Sequence, residues 1–214
     1  MSNIFVFDLD GTLVDSMTRY AKGVLSILDE EGISYGPDLI KLITPMGNPR
    51  VAEYYVDELG VQDTKEHVVE RIVEKMVYEY TYQIYTKPGV KEYLARLRAD
   101  GARLFVLTAS PHVTTDACLK HNGIFDWFET VWSVEDFSLT KSDPRIFFEV
   151  AKAIGCKPSD VHYFDDSLIA LENAKTAGFI TYGVYDAQSE EEVARMKREY
   201  DVYVGSFLEM NDQA

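Results

Sequence analysis

The chain has few cysteines, few basic residues and no long apolar run, and each shortage excludes a class of protein. Cys118 and Cys156 are its two cysteines and form no CxxC spacing, which argues against a disulfide scaffold or a thiolate metal site. Each lies within an apolar helical pattern, so we expect two free, buried thiols. With 21 basic against 36 acidic residues, the formal net charge is −15, which disfavours binding to nucleic acid or an anionic membrane. The apolar run Ile4 to Phe7 is too short for a signal peptide or membrane span. We therefore expect a protein of the reducing cytoplasm.

Two common catalytic motifs are absent as well. No GxxxxGK[ST] segment occurs, which excludes a P-loop nucleotide hydrolase, and no GxSxG segment occurs, which disfavours a serine hydrolase. The four histidines show no metal-ligand spacing, so we assign no metal site to histidine.

Short apolar segments alternate with helical patterns over the second half of the chain. The predicted strands are Ile4–Phe7, Arg103–Thr108, Val161–Phe164, Ile180–Val184 and Val202–Val204, and the predicted helices between them are Val90–Ala99, Pro144–Ile154 and Leu168–Ala177. Continuous apolar strands are typical of a parallel sheet covered on both faces. This pattern predicts an α/β domain with a doubly wound parallel sheet.

A helical region interrupts this pattern after the first strand. Apolar residues recur there at helical spacing, namely Val69, Ile72, Val73, Met76, Val77, Tyr80 and Ile84. Asn48 followed by Pro49 predicts an N-cap and first turn. We therefore predict a core formed by residues 1–15 and 87–214, with an inserted all-helical domain over residues 16–86.

Polar side chains follow the predicted strands at the point where each strand ends. Asp8 follows the first strand, Thr108 ends the second, and Asp165 and Asp166 follow the third. Lys141 precedes a predicted helix in the same half of the chain. Because the carboxyl ends of parallel strands share one edge of a sheet, we expect these side chains to converge on one site.

Several carboxylates close together repel one another and favour a hard divalent cation. Asp8, Asp166 and the backbone carbonyl of Asp10 suffice as ligands for Mg²⁺, and Asp165 is a further candidate. The sequence therefore predicts a magnesium site.

Positive charge and hydrogen-bond donors lie at the same predicted edge. Lys141 and the Thr108 hydroxyl are suited to bind phosphoryl oxygens, and backbone amides from Leu9 to Gly11 and from Ala109 to Ser110 are candidate further donors. The predicted substrate is a small phosphorylated metabolite.

The two aspartates of the first motif suggest a covalent mechanism. Asp8 attacks phosphorus and forms an aspartyl-phosphate. Asp10 protonates the leaving alcohol and then deprotonates the water that splits the intermediate. The metal and Lys141 offset charge on the transferring group.

Four segments together resemble the motifs of the haloacid dehalogenase superfamily. They are Asp8-Leu9-Asp10-Gly11-Thr12-Leu13-Val14-Asp15-Ser16, Leu107-Thr108-Ala109-Ser110, Lys141-Ser142-Asp143-Pro144 and Phe164-Asp165-Asp166-Ser167. The resemblance, which spans essentially the whole chain, implies a Rossmann-like core, a helical cap that closes over the substrate, Mg²⁺, and phosphatase or phosphomutase activity. It also implies that Asp8 is the nucleophile, Asp10 the acid/base, Thr108 and Lys141 phosphate ligands, and Asp166 a metal ligand.

The chain departs from the usual motifs at four positions. They are Ala109, where Asn is frequent, Ser142, where Pro is common, Asp165, often Gly, and Ala170, where many members carry Asp. Whether Asp165 contacts the metal or orders the loop stays open at this point. The presence of Asp10 favours phosphate over halide chemistry, because dehalogenases of the superfamily lack it.

The substrate and the reaction type are less constrained. The segment Thr44 to Arg50 is a candidate substrate-reading loop, with Arg50 as an anion ligand, and a plain turn with a surface arginine is equally consistent. The alternatives to a phosphatase are a phosphomutase of the β-phosphoglucomutase type and, in a different class, a receiver-like phosphoaspartate signalling module. Substrate identity and oligomeric state stay open.

Overall fold

The computed structural model describes residues 3–43 and 46–212, which form a six-stranded sheet and ten α-helices. The strands are β1 (Ile4–Phe7), β2 (Arg103–Thr108), β3 (Thr130–Ser133), β4 (Val161–Asp165), β5 (Ile180–Val184) and β6 (Val202–Val204). The helices are α1 (Met17–Glu30), α2 (Leu39–Ile43), α3 (Asn48–Asp57), α4 (Lys65–Tyr82), α5 (Val90–Ala99), α6 (His112–His121), α7 (Arg145–Ile154), α8 (Leu168–Ala177), α9 (Val193–Glu199) and α10 (Phe207–Asp212).

All neighbouring strands are parallel, in the order β3-β2-β1-β4-β5-β6. The first strand of the chain therefore lies in the middle of the sheet, where Phe7 pairs with Val106 of β2 and Phe164 of β4. The strand order reverses between β1 and β4, and in open α/β sheets ligands bind in the crevice at such a point. The predicted doubly wound parallel α/β fold is confirmed.

Alternating side chains along the strands cover the two faces of the sheet. Val6 and Tyr163 belong to one buried cluster with residues of α7 and α8. Phe7 and Phe164 stack on the opposite face with ring centroids 4.7 Å apart, and Tyr93 of α5 meets both rings. Burial of these apolar surfaces stabilises the sheet at roughly 25 cal/mol per Å².

The chain divides into two compact units. One extends to Asp15 and resumes at Tyr85, and it contains the whole sheet. The other, Ser16–Ile84, contains α1 to α4, with α4 packed against both α1 and α3. The sequence prediction placed the helical region at 16–86, and its action as a cap is a proposal treated below. No helix in the described part of the chain is long and apolar enough to cross a membrane.

The structure differs from the sequence prediction at two places: β3 was not predicted, and the predicted N-cap of α3 is wrong. β3 is four residues long and lies at the edge of the sheet beside β2. Three of its four residues are half-buried, so the segment lacks the continuous apolar pattern by which the other strands were predicted. The N-cap of α3 is Gly47 rather than Asn48, which is the first helical residue. Pro49 lies in the first turn as expected.

Burial on α4 and at the cysteines also differs in part from expectation. Val68 is fully buried and Val73 is exposed, so the core-facing stripe of α4 runs through Val68, Ile72 and Met76. Both cysteines are free thiols, but Cys156 follows the end of α7 and is half-buried rather than buried in a helix.

Two glycines with positive φ provide a test of how closely the backbone packs. Gly89 (φ 83°) precedes α5, and a Cβ placed on it would lie 2.5 Å from the backbone nitrogen of Leu208. Gly101 (φ 76°) has no atom within 4 Å of the corresponding position. We expect Gly101→Ala to cost about 1 kcal/mol of unfolding free energy, for the left-handed conformation alone. Gly89→Ala should cost about 2 kcal/mol more, because backbone must move. Urea denaturation measures both, and equal losses would contradict this close approach.

Candidate active site

Asp8 occupies the first position after β1, at the crevice between β1 and β4. Its backbone N–H donates to the carbonyl of Phe164 at 2.8 Å, which extends the pairing of the two strands by one residue. The side chain is 4% exposed. The central strand therefore delivers a buried carboxylate to the carboxyl edge of the sheet.

Lys141 bridges two of the acidic residues. Its ammonium group contacts Oδ1 of Asp8 and lies 2.9 Å from Oδ2 of Asp165, with the lysine side chain 13% exposed. Asn173 of α8 donates to the Lys141 backbone carbonyl at 3.1 Å and anchors the loop. Burial alone lowers the pKa of Lys141, but the charges of Asp165 and Asp8 more than offset this, so its pKa lies above the ordinary value. Lys141 is therefore a fixed cation.

Asp165 is held by three donors from the protein itself. Its Oδ2 accepts from Lys141 and from the hydroxyl of Tyr163, and its Oδ1 accepts from the Ser167 amide at 2.8 Å. The residue is 1% exposed. Burial, and then the neighbouring carboxylates of Asp165 and Asp8, raise the pKa of the Tyr163 phenol, so this group stays a donor. Asp165 is thus well placed to order Lys141 and the loop after β4.

Asp166 points towards the first motif. The Thr12 hydroxyl donates to its Oδ1 at 3.5 Å, and a Cβ on Gly11 would lie 2.5 Å from its Oδ2. Glycine is therefore favoured at position 11, where φ is also 77° and any side chain would displace the Asp166 carboxylate. Burial and the charge of Asp165 raise the pKa of Asp166 to about 8.

The acidic side chains are arranged as a cation site. Asp8, Asp165 and Asp166 each offer a carboxylate oxygen, and these oxygens lie within 4.8 Å of one another. Burial raises the pKa of Asp8 well above its usual range, and the charges of Asp165, Asp166 and Asp10 add to this although Lys141 opposes it. A divalent cation would relieve this crowding, and carboxylate oxygens are the donors that Mg²⁺ prefers. The residues present fit that ion.

Asp10 and Thr108 are connected through Ser110. The Ser110 hydroxyl donates to Oδ2 of Asp10 at 2.6 Å, and the Ser110 amide donates to the Thr108 hydroxyl oxygen at 3.1 Å. Because the Thr108 oxygen accepts this bond, its own hydrogen is available for another acceptor. The loop after β2 therefore orients both the Asp10 carboxylate and a buried hydroxyl.

The structure brings most of the predicted site residues to one cavity of about 310 Å³. Its lining includes Asp8, Asp10, Thr108, Lys141, Asp165 and Asp166, together with Ala109. These residues come from the carboxyl ends of β1, β2 and β4 and from the loop before α7. Their roles as catalytic, phosphate-binding and metal-binding groups stay predictions.

The predicted backbone donors differ in their availability. The Gly11 amide donates to the Val14 carbonyl at 3.1 Å, and the Ser110 amide is engaged with Thr108, so both are occupied inside the protein. The predicted donors at Leu9 and Ala109 stay candidates. Arg50 is exposed near the start of α3 in the helical unit, and its role also stays a prediction. Residues 44 and 45 of the predicted substrate-reading loop lie outside the described residues.

Sequence reasoning missed four residues that support the site: Thr12, Lys87, Tyr163 and Asn173. Tyr163 carried a signal, because it is two residues before Asp165 on β4 and therefore faces the same side of the sheet. Thr12 lies within the first motif. Lys87 and Asn173 carried no signal, since both act through contacts distant in sequence.

Comparison with known proteins identifies the family. Residues 5–184 match the family described as haloacid dehalogenase-like hydrolase. The chain belongs to this family. The predicted membership, and with it the enzyme class of a phosphate-ester hydrolase, is confirmed by this match and by the relatives that follow.

Two curated relatives and one solved structure are similar over most of the chain. A "Phosphorylated carbohydrates phosphatase" of Thermotoga maritima is 25% identical, covering 84% of this chain and 83% of the relative. A "Phosphoglycolate phosphatase" of Rhodobacter capsulatus is 27% identical, covering 85% of this chain and 84% of the relative. The crystal structure of CbbY from Rhodobacter sphaeroides in complex with phosphate has a TM-score of 0.81 at 19% identity, covering 98% of this chain and 96% of that one. At this low sequence identity, the similarity to the CbbY structure shows that the two proteins share a fold.

The Tyr163 hydroxyl provides a test of how Asp165 is held. We expect Tyr163→Phe to lower the unfolding free energy by about 2 kcal/mol, because a buried hydrogen bond to a charged group is lost. Tyr182→Phe is the matched control, because its hydroxyl meets a ring nitrogen of His162 at 3.0 Å, and it should cost about 1 kcal/mol. Urea denaturation at neutral pH measures both losses. A Tyr163→Phe variant as stable as the wild type would show that the phenol does not hold Asp165.

Proposed function

We propose that the protein is a magnesium-dependent phosphatase that hydrolyses a small phosphate monoester through an aspartyl-phosphate on Asp8. The observation that carries the proposal is the buried Asp8 carboxylate beside Lys141 and Asp166, at the crevice where the strand order of the sheet reverses. Names of relatives add support, since the Thermotoga maritima relative is called a phosphatase of phosphorylated carbohydrates. A phosphorylated sugar or a related small metabolite is therefore the proposed substrate class.

The metal would be held by the carboxylates of Asp8 and Asp166 and by the backbone carbonyl of Asp10. Bound there, Mg²⁺ would neutralise charge on the phosphoryl oxygens and on the nearby carboxylates. Asp165 already accepts three hydrogen bonds from the protein, which supports an ordering role for it rather than direct ligation.

Phosphoryl transfer begins with Asp8. A carboxylate oxygen of Asp8 forms a bond to phosphorus while the bond from phosphorus to the leaving alcohol oxygen breaks. Lys141 stabilises the negative charge of the transferring group, and the Thr108 hydroxyl is available to donate to a phosphoryl oxygen. The products of this step are the alcohol and an acyl phosphate on Asp8, the aspartyl-phosphate.

Asp10 moves the proton in both halves of the reaction. Its carboxyl group protonates the departing alcohol oxygen, and the resulting carboxylate then takes a proton from the water that attacks phosphorus. This attack releases inorganic phosphate and restores the Asp8 carboxylate. The bond from the Ser110 hydroxyl holds the Asp10 side chain in one orientation for both transfers.

The helical unit is proposed to act as the cap of the site, with Arg50 as a candidate ligand for a second anionic group.

Free Cys118 and Cys156 are consistent with a reducing compartment such as the cytoplasm. No observation favours the phosphomutase alternative over hydrolysis, and membership of the hydrolase family removes the basis for a receiver-like module.

Substitution of the two aspartates tests the assigned roles. Asp8→Asn should abolish turnover of a panel of phosphate esters in Mg²⁺, because the nucleophile is lost. Asp10→Asn should lower kcat by about 10²- to 10⁴-fold, the usual effect of removing a general acid/base. With p-nitrophenyl phosphate, whose leaving group needs no proton, the Asp10 variant should accumulate a phosphate adduct on Asp8 that intact-mass spectrometry detects.

Asp100→Asn serves as the control for a neutralised aspartate. Asp100 is exposed at the C-terminal end of α5, so this variant should keep wild-type rates. Turnover by Asp8→Asn at the wild-type rate would refute the mechanism. Sugar-phosphate isomerisation with little free phosphate released would instead identify a phosphomutase.

Removal of divalent metal tests the cofactor assignment. EDTA should abolish turnover, and added Mg²⁺ should restore it. Mg²⁺ should also raise the Tm of the wild-type protein with increasing concentration, because it binds the folded state. This shift should be much smaller in Asp166→Asn. Full activity in EDTA would rule out the magnesium proposal.

A further inference from the structure

Lys87 places a second cation beneath the loop of the first motif. Its ammonium group donates to the Gly11 carbonyl, to the Tyr185 carbonyl at 2.7 Å and to Oδ2 of Asp186 at 2.9 Å. The side chains of Lys87 and Asp186 are 15% and 6% exposed. An ammonium group has three N–H donors, and here all three form hydrogen bonds to acceptors of the protein itself.

The backbone of Lys87 is tied to the same loop. The Lys87 amide donates to the Leu13 carbonyl at 2.9 Å. A second backbone hydrogen bond between the two segments runs from the Asp15 amide to the Tyr85 carbonyl at 3.2 Å. Between these two hydrogen bonds, Val14 and Thr86 form an antiparallel β-bridge. Lys87 therefore fixes, by backbone and side chain together, a segment that starts one residue after Asp10.

Gly11 is the residue of this loop whose displacement would affect the candidate active site most directly. Its amide is held by the Val14 carbonyl at 3.1 Å, and its Cα lies so close to Asp166 that an added Cβ would be 2.5 Å from Oδ2. The following residue, Thr12, donates to the same carboxylate. A shift of the Gly11 backbone would therefore act directly on the Asp166 carboxylate and on the adjoining Asp10.

We propose that Lys87, oriented by Asp186, is a positioning residue that holds the Gly11 carbonyl and thereby fixes Asp10 relative to Asp166. The proposal rests on the proposed function, in which those two aspartates are the acid/base and a metal ligand. Because its three donors are engaged in the protein, Lys87 does not contact the substrate. A charge-assisted bond to a carbonyl holds the loop more firmly than a neutral donor would.

Lys87→Met tests this assignment, because methionine keeps much of the apolar stem and removes every donor. Groups that orient metal ligands typically contribute 10- to 100-fold to metal affinity or activity. We therefore expect kcat for p-nitrophenyl phosphate to fall by about 10- to 100-fold, with KM changed less than about threefold. Isothermal titration calorimetry should show Mg²⁺ binding weakened by about tenfold or more.

Lys175→Met is the matched control. Lys175 of α8 also donates its ammonium group to a backbone carbonyl, that of Glu199, but it is exposed and does not line the cavity. This variant should retain the kcat and the Mg²⁺ affinity of the wild type. A Lys87→Met variant with a lower Tm but unchanged kcat and Mg²⁺ affinity would overturn the proposal, since only a structural role would remain.

Asp186→Asn covers the case in which Lys87→Met does not fold. This variant keeps Lys87 and its two carbonyl contacts but removes the negative charge that orients the ammonium group. The kcat and the Mg²⁺ affinity should therefore both fall, by a smaller factor than in Lys87→Met. Wild-type values in this variant would also overturn the proposal. If the wild type hydrolyses none of the esters, the proposed function fails instead, and the calorimetric comparison of Mg²⁺ binding still decides whether Lys87 positions Asp166.

Discussion

The Lys141 ammonium between two buried carboxylates is the contact on which the arrangement of the site depends. Asp8 directly follows β1 and Asp165 ends the neighbouring strand β4, at the middle of the sheet, where both are almost completely removed from solvent. Two carboxylates so placed would repel each other and lose hydration without a cation. The lysine supplies the charge, and Asn173 holds its loop in place. The protein itself thus supplies part of the positive charge that the acidic group requires, through Lys141.

The neighbouring carboxylates differ in environment, which allows a division of labour. Asp165 accepts three hydrogen bonds, from Tyr163, Lys141 and the Ser167 amide, which supports the proposed ordering role for it. Asp166 is only partly buried, and its pKa is raised to about 8 by burial and by Asp165. Asp10, which lines the same cavity, accepts a hydrogen bond from the Ser110 hydroxyl. Adjacent acidic residues with different partners can therefore perform different tasks.

The sequence was sufficient to predict the sheet and the convergence of the motif residues. Continuous apolar strands imply parallel pairing, and parallel pairing brings the ends of β1, β2 and β4 to one edge regardless of sequence distance. Side-chain partners were not predictable in the same way. The contact of Lys87 with Gly11 spans 76 residues and depends on how two loops approach. β3 was missed because a four-residue strand at the edge of a sheet has little apolar pattern of its own.

The central position of β1 has a consequence for biosynthesis. β1 is translated before its two neighbours, which begin at residues 103 and 161, and the helical unit is translated between β1 and β2. At roughly 5–20 residues per second, the second neighbour emerges on the order of ten seconds or more after β1. Until β2 emerges, the apolar strand β1 lacks both of its pairing partners, and until β4 emerges it still lacks one. The nascent chain must shield its unpaired surface by other means during that time. The helical unit, by contrast, is translated completely by residue 84, before β2 and the rest of the sheet.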